Sequence, residues 1–166
     1  MSIKEKFGKV KGLKIGIVGD ILHSRVALSN IFGLVKLGAK VKVCGPPHLI
    51  QKDIESLGVN IEYNIDNLIE WADALNVLRI QKERMGIGII PSIREYRNFF
   101  GITKDRMENH KKELVIMHPG PINRGVEIDS VVADSEQALI LNQVLNGVAV
   151  RMSVLYLLLG SNNLEI

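Results

Sequence analysis

Among 166 residues there is one cysteine, one tryptophan and an aromatic content of only 5%. The lone thiol, Cys44, excludes an internal disulfide. Its place at the end of Val41-Lys42-Val43-Cys44 marks a buried strand residue more than a reactive nucleophile, and that usage fits a reducing cytoplasm. Positive charge is in only small excess: the formal net charge is +3 and the pI is about 9.0. With the lysines dispersed, aromatics scarce and no recognition motif, nucleic acid is not an expected partner. An unbroken membrane-length apolar run is also lacking, since Asn142, Gln143, Asn146 and Arg151 interrupt the most apolar stretch, Ala138 to Leu159, where a lone span would not carry them. The expectation there is a long buried helix and no membrane. The N-terminus, with Lys4, Lys6, Lys9, Lys11 and Lys14, lacks the apolar core of a secretory signal. Gly16-Ile17-Val18-Gly19 does not have the G-x-G-x-x-G spacing and no Gly-Lys-Ser/Thr follows a strand, which argues against dinucleotide and nucleoside triphosphate sites. His23, His48, His110, His118 and Cys44 have no metal-ligand spacing, so no metal is expected.

What the chain does have is alternation of short β-rich runs with helical segments. Its length suits one domain that buries roughly 70% of the surface its unfolded form would expose. Strands are expected at Lys14 to Gly19, Lys40 to Val43, Val59 to Tyr63, Ala74 to Leu78 and Leu114 to Met117. Between them, Ser24 is a good N-cap for a helix with Ala27, Ile31, Leu34 and Val35 on one face and Gly38 past its end. Gly45-Pro46-Pro47 turns into a short helix ending before Gly58, and Asp66 to Ala72 forms another. Ser92-Ile93-Arg94-Glu95 has the spacing of a capping box for a helix ending by Gly101, a further helix follows Thr103, and Ser135 caps the last one. Strands and helices at this spacing predict an α/β, doubly wound, Rossmann-like fold: a five-stranded, mainly parallel sheet with helices on both faces and a long C-terminal helix. Residues 1–12 are expected as a linker or incoming helix, 13–134 as the α/β domain, and 135–160 as its final helix.

Candidate binding residues gather just past strand ends, where open α/β sheets bind ligands. In an extended Arg79-Ile80-Gln81-Lys82-Glu83-Arg84, side chains alternate, so Arg79, Gln81 and Glu83 share one face. A guanidinium that makes paired hydrogen bonds to a carboxylate, an amide beside it and an acid to steady it suit an anionic small molecule; the competing reading is an exposed charged loop. Arg25 opens a helix where an acidic residue would suit the macrodipole better. A ligand carboxylate there would meet both the guanidinium and free backbone N–H groups, unless Arg25 swings to a surface acid. In His118-Pro119-Gly120-Pro121, two prolines stiffen the loop and remove donors, which leaves either a rigid turn or carbonyls aimed outward as acceptors. The connection of more than thirty residues before the fifth strand is either a segment that closes over a ligand or a disordered excursion.

Taken together, Gly19-Asp20-Ile21-Leu22-His23-Ser24-Arg25, Arg79-Ile80-Gln81-Lys82-Glu83-Arg84 and His118-Pro119-Gly120-Pro121 closely resemble three signatures of the aspartate carbamoyltransferases. The resemblance covers essentially the whole chain but only the second, aspartate-binding half of that family, since the Ser-Thr-Arg-Thr-Arg phosphate loop of the carbamoyl-phosphate domain is absent. It implies carbamoyl transfer from carbamoyl phosphate to L-aspartate in pyrimidine synthesis, without cofactor, by trimers held mainly through the missing half. By position, Arg25 resembles the arginine that receives the α-carboxylate, and Arg79 with Gln81 the pair that holds the side-chain carboxylate. Glu83 would orient Arg79, Arg84 would brace the closed form, and the carbonyls of Pro119 and Gly120 would accept N–H groups, supported by His118 and Pro121. No catalytic residue is expected in this chain by itself. The ornithine-specific His-Cys-Leu-Pro and Ser-Met-Gly signatures are absent, and Gly120 stands where relatives often have leucine or alanine. The alternative is a non-catalytic module that binds a small anion or docks on another protein.

Overall fold

The computed structural model describes residues 1–80, 92–110 and 113–160. Helix α1 (Ser2–Phe7) precedes strand β1 (Lys14–Val18), helix α2 (Arg25–Lys36) and strand β2 (Lys40–Cys44). Two single turns of 3-10 helix, Pro47–Leu49 and Ile54–Leu57, lead to β3 (Asn60–Glu62), α3 (Ile65–Trp71) and β4 (Ala74–Val77). Beyond the segment 81–91 come α4 (Ile93–Phe100), α5 (Lys104–Glu108), β5 (Val115–Met117), α6 (Ser130–Ala133) and α7 (Ile140–Leu159). The strands lie in the order β3-β2-β1-β4-β5, with every neighbouring pair parallel. The sheet therefore grows outward from β1 in both directions, and its topological switch point is the β1/β4 junction.

Period-two alternation sends side chains to two apolar layers. Ile15, Ile17, Val41, Val43, Ala74, Val115 and Met117 pack with Ala27, Ile31 and Leu34 of α2. On the other face, Val18, Cys44, Leu75, Val77 and Ile116 pack with Ile65, Leu68 and Ile69 of α3 and Val132 and Ala133 of α6. At Gly16 the sheet meets α3 so closely that an added Cβ would lie 2.5 Å from a Leu75 methyl and 2.9 Å from one of Leu68.

The helix starts are locally encoded. Ser24 Oγ accepts from Ala27 N at 3.1 Å, Ser92 Oγ from Glu95 N at 3.0 Å, and Thr103 Oγ1 from Arg106 N at 3.4 Å. Asn64 caps α3 by accepting from Asp66 N and Asn67 N, so that helix begins before the expected Asp66. Two expectations for the last helix fail. Ser135 does not cap it: α7 begins at Ile140 after Leu139, and Ser135 Oγ instead donates to Val132 O. Nor is α7 buried, since Ile140 is its one buried residue. The interrupting polar residues are too few to define a wet face, and apolar side chains project all around it. Its first half is tied to the N-terminus, where Asn146 Nδ2 donates to Ser2 Oγ at 2.9 Å and Glu5 Oε2 at 2.6 Å. With a mean hydropathy of 1.3, α7 is long and apolar enough to cross a membrane, alone in this among the described residues.

Candidate functional site

Three loops leave the carboxyl ends of β1, β4 and β5, which are consecutive in space though scattered in sequence. With neighbouring strands about 5 Å apart, the three exits span roughly 10 Å of sheet edge. Arg25, Arg79 and the His118–Pro121 loop are thus brought to one edge at the switch point. Gln81, Glu83 and Arg84 lie outside the described residues.

From β1 the chain turns sharply. Gly19 adopts φ +130° and its space is bounded by the Leu78 Cβ and carbonyl and by the Tyr96 hydroxyl. Its N–H donates to Cys44 O at 2.8 Å, and a Cβ on Gly45 would collide with the Gly19 carbonyl oxygen. Next comes Asp20, a buried acid. Its Oδ1 accepts from His23 N at 3.0 Å, and both carboxylate oxygens lie 3.0 Å from His23 Nδ1. Ser24 then caps α2 and Arg25 is its exposed first residue. The first turn of α2 holds no acidic residue, so the positive end of the helix and the guanidinium act together there.

From β4, Leu78 N continues the ladder by donating to Val18 O at 2.8 Å. Leu78 and Ile80 are buried while Arg79 between them is half-buried. Asn123 Nδ2 donates to the Ile80 carbonyl at 2.9 Å, which ties this exit to the loop after β5.

That loop is anchored by a buried imidazole. His118 N donates to Gln143 Oε1 of α7 at 3.1 Å. Gly120 N donates to His118 Nδ1 at 2.9 Å, so Nδ1 is the acceptor and Nε2 carries the proton it gives to Glu127 Oε1 at 3.3 Å. Glu127 Oε1 also accepts from Asn123 N. Both His118 and Glu127 side chains are fully buried. Gly120 has φ +68°, with nothing near a notional Cβ. Its positive φ is the reason glycine suits this turn. Among the described residues, no hydrogen bond reaches the carbonyl of Pro119 or Gly120.

Helix α4 closes the edge. Tyr96 is buried, and burial first, then the nearby carboxylates Glu127 and Asp20, push its phenol well above the usual range. It is therefore a neutral wall beside Gly19. Arg97 donates to both oxygens of Asp129 at 2.7 and 2.9 Å. Arg106 closes the carboxyl end of α4 by donating to Gly101 O and Asn98 O, both at 2.7 Å, while its Nε reaches Asp66 at 2.7 Å.

A sizeable cavity among the described residues lies elsewhere. A groove of about 640 Å³ runs along α3, α4 and α5, lined by Asp66, Glu70, Arg97, Arg106 and His110. Its guanidinium groups are already engaged by Asp66, Asp129 and helix carbonyls, so its size does not make it an anion site. No cluster of His, Cys, Asp and Glu suited to a metal occurs among the described residues. Burial pushes the Cys44 thiol up to about 12, with Glu62 adding to the effect.

Sequence reasoning missed the Asp20–His23 pair, the Asn123 tether and the buried Glu127. Spacing in the turn could have suggested the first. The other two depend on strand order, which no local pattern carries.

The family described as aspartate/ornithine carbamoyltransferase, Asp/Orn binding domain, matches residues 11–158. The chain is 59% identical over 162 residues to the aspartate carbamoyltransferase catalytic subunit of Carboxydothermus hydrogenoformans, covering 97% of this chain and 52% of that protein. It is 64% identical over 157 residues to the same subunit of Christiangramia forsetii, covering 95% and 51%. Among solved structures, the catalytic subunit of M. jannaschii aspartate transcarbamoylase superposes with a TM-score of 0.77 at 32% identity, covering 99% of this chain and 54% of that one. The ornithine carbamoyltransferase from Pyrococcus furiosus gives 0.72 at 26%, covering 93% and 52%. The chain spans about half the length of the curated relatives it matches.

Proposed function

The chain belongs to the aspartate/ornithine carbamoyltransferase family, and from that premise we propose that it is the aspartate-binding half of an aspartate carbamoyltransferase. In the proposed reaction the amino nitrogen of L-aspartate attacks the carbonyl carbon of carbamoyl phosphate. A C–N bond forms, the C–O bond to phosphate breaks, phosphate leaves with the electron pair and the nitrogen loses a proton, yielding N-carbamoyl-L-aspartate for pyrimidine biosynthesis. Two guanidinium groups on neighbouring strand exits carry this reading: Arg25 past β1 and Arg79 past β4 suit the two acid groups of aspartate, and would repel the cationic side chain of ornithine. Arg25 is assigned the α-carboxylate, Arg79 and Gln81 the side-chain carboxylate, and the carbonyls of Pro119 and Gly120 the N–H groups. Glu83, Arg84, His118 and Pro121 support them.

The chain alone binds L-aspartate weakly and does not turn over. Each charge-assisted hydrogen bond contributes roughly 1.5–3 kcal/mol, and association itself is costly, so binding at about the millimolar level is expected. The electrophile and its leaving group belong to a carbamoyl-phosphate-binding half, which is also the proposed cover for α7 and the proposed seat of trimer contacts. The lone buried thiol agrees with a cytoplasmic setting. Mixing this chain with such a half should give carbamoyl-aspartate production that neither part has alone. Turnover by the chain by itself would refute the division of labour. A mixture that assembles yet stays inactive would favour a non-catalytic binding module, the reading that the exposed face of α7 keeps open.

A further inference from the structure

The geometry points to His23 as an additional substrate contact, one that accepts a hydrogen bond from the amino group of the bound amino acid. The inference rests on the aspartate-site reading above and adds a group to it. Asp20 is buried and its ionised carboxylate can only accept, so His23 Nδ1, 3.0 Å from both of its oxygens, must carry the proton. The backbone N–H of His23 donates to the same carboxylate at 3.0 Å, which fixes the ring to the turn on which it stands. That tautomer leaves the Nε2 lone pair as the free end of the imidazole. The His23 side chain is 45% exposed where that of Asp20 is 10% exposed, so the pair has one end in the core and one in solvent. It stands two residues before Arg25, on the loop that leaves β1 at the switch point. Arg25 offers donors only and suits a carboxylate; an α-amino acid also brings an amine, which needs an acceptor close to the site of its carboxylate. His23 Nε2 supplies that acceptor from the same turn, and the buried acid behind it holds the ring in one orientation as a carboxylate does for a ligating histidine.

The test uses the whole chain with ¹⁵N-labelled histidine and backbone, titrated separately with L-aspartate and with succinate, which has both carboxylates and no amine. The free protein should show His23 as the Nδ1–H tautomer. The Arg25 and Arg79 amides should move with both probes, while the His23 Nε2 resonance should move with L-aspartate on the same saturation curve and stay in place with succinate. His23→Phe should weaken L-aspartate roughly tenfold and leave succinate unchanged, with His23→Gln recovering part of the loss by restoring an acceptor. If L-aspartate moves Arg25 and Arg79 but not His23 Nε2, or if His23→Phe weakens both probes alike, the pair is only a brace for the turn and the inference falls alone. If neither probe moves Arg25 or Arg79 at high concentration, the aspartate-site reading falls and takes this inference with it.

Discussion

In β1, Ile15 and Ile17 are completely buried, whereas in α7, Leu141, Leu145, Leu157 and Leu158 are each about 70% exposed or more. Both stretches are apolar, but the sheet supplies its own cover on two faces and α7 has cover only along its first half, from α1 and the β5 end of the sheet. The contrast teaches that stability and assembly are written in separate parts of this chain. The sheet packs one apolar layer against α2 and the other against α3, α6 and the first residue of α7. Among the described residues nothing covers the far half of α7, and contiguous exposed apolar surface of this extent marks an interaction face.

The sharpest way to break the comparison is to damage each region and see which property fails. Ile17→Ala removes a buried side chain between β1 and α2, and urea unfolding should show a loss of about 2–5 kcal/mol. Replacing Leu145, Leu155 and Leu158 together with lysine should leave unfolding within about 0.5 kcal/mol per substitution while abolishing association with the proposed carbamoyl-phosphate-binding half in sedimentation. If the α7 variant unfolds as readily as Ile17→Ala, then α7 is part of the stable core and the division is wrong. Gly45→Ala probes the place where the site and the body share atoms. Its methyl would press on the Gly19 carbonyl, and calorimetry should record a destabilisation of about 1–3 kcal/mol, with an amide shift spreading to His23 and Arg25.

A smaller effect is expected from Cys44. Its thiol is pushed up to about 12 from 9.0 by burial first, so between those values the unfolded chain loses its proton while the folded chain keeps it. The contribution to stability is fully present below pH 9 and declines as pH rises toward 12. Cys44→Ala should flatten the alkaline arm of the stability curve, and iodoacetamide should leave the native thiol unmodified at neutral pH. The least effect belongs to the Arg124–Asp134 pair. Hydrogen bonding to Asp134 raises the Arg124 pKa, and Arg124 in turn lowers that of Asp134, yet both are in solvent. Arg124→Ala should leave the melting temperature unchanged within error; a clear drop would show that loop 118–129 relies on its rim as well as on buried Glu127.

Much of the fold is legible because it is local. Ser24, Ser92 and Thr103 cap helices through their own hydroxyls, and alternation along Lys40-Val41-Lys42-Val43 places β2 without reference to its neighbours. Asn64 was overlooked as a cap because Asp66 two residues later offered a plausible start. The strands are shorter than their apolar runs suggest, since Val59, Leu78 and Leu114 are buried beyond the ends of the ladder. The error over α7 has a different origin: a uniformly apolar helix reads alike whether its cover is in the same chain or another. At the site, the residue types of Arg25 and Arg79 were informative alone, but their convergence on one edge follows from placing β4 beside β1. That pairing is a long-range choice with no signature in either segment.

The most direct measurement is a crystal structure of this chain with L-aspartate, together with a carbamoyl-phosphate-binding half if one assembles. The account predicts a ligand at the β1/β4 switch point with its α-carboxylate on Arg25 and its side-chain carboxylate on Arg79. Aspartate held by only one of these arginines, or seated in the groove along α3 and α5, would contradict it.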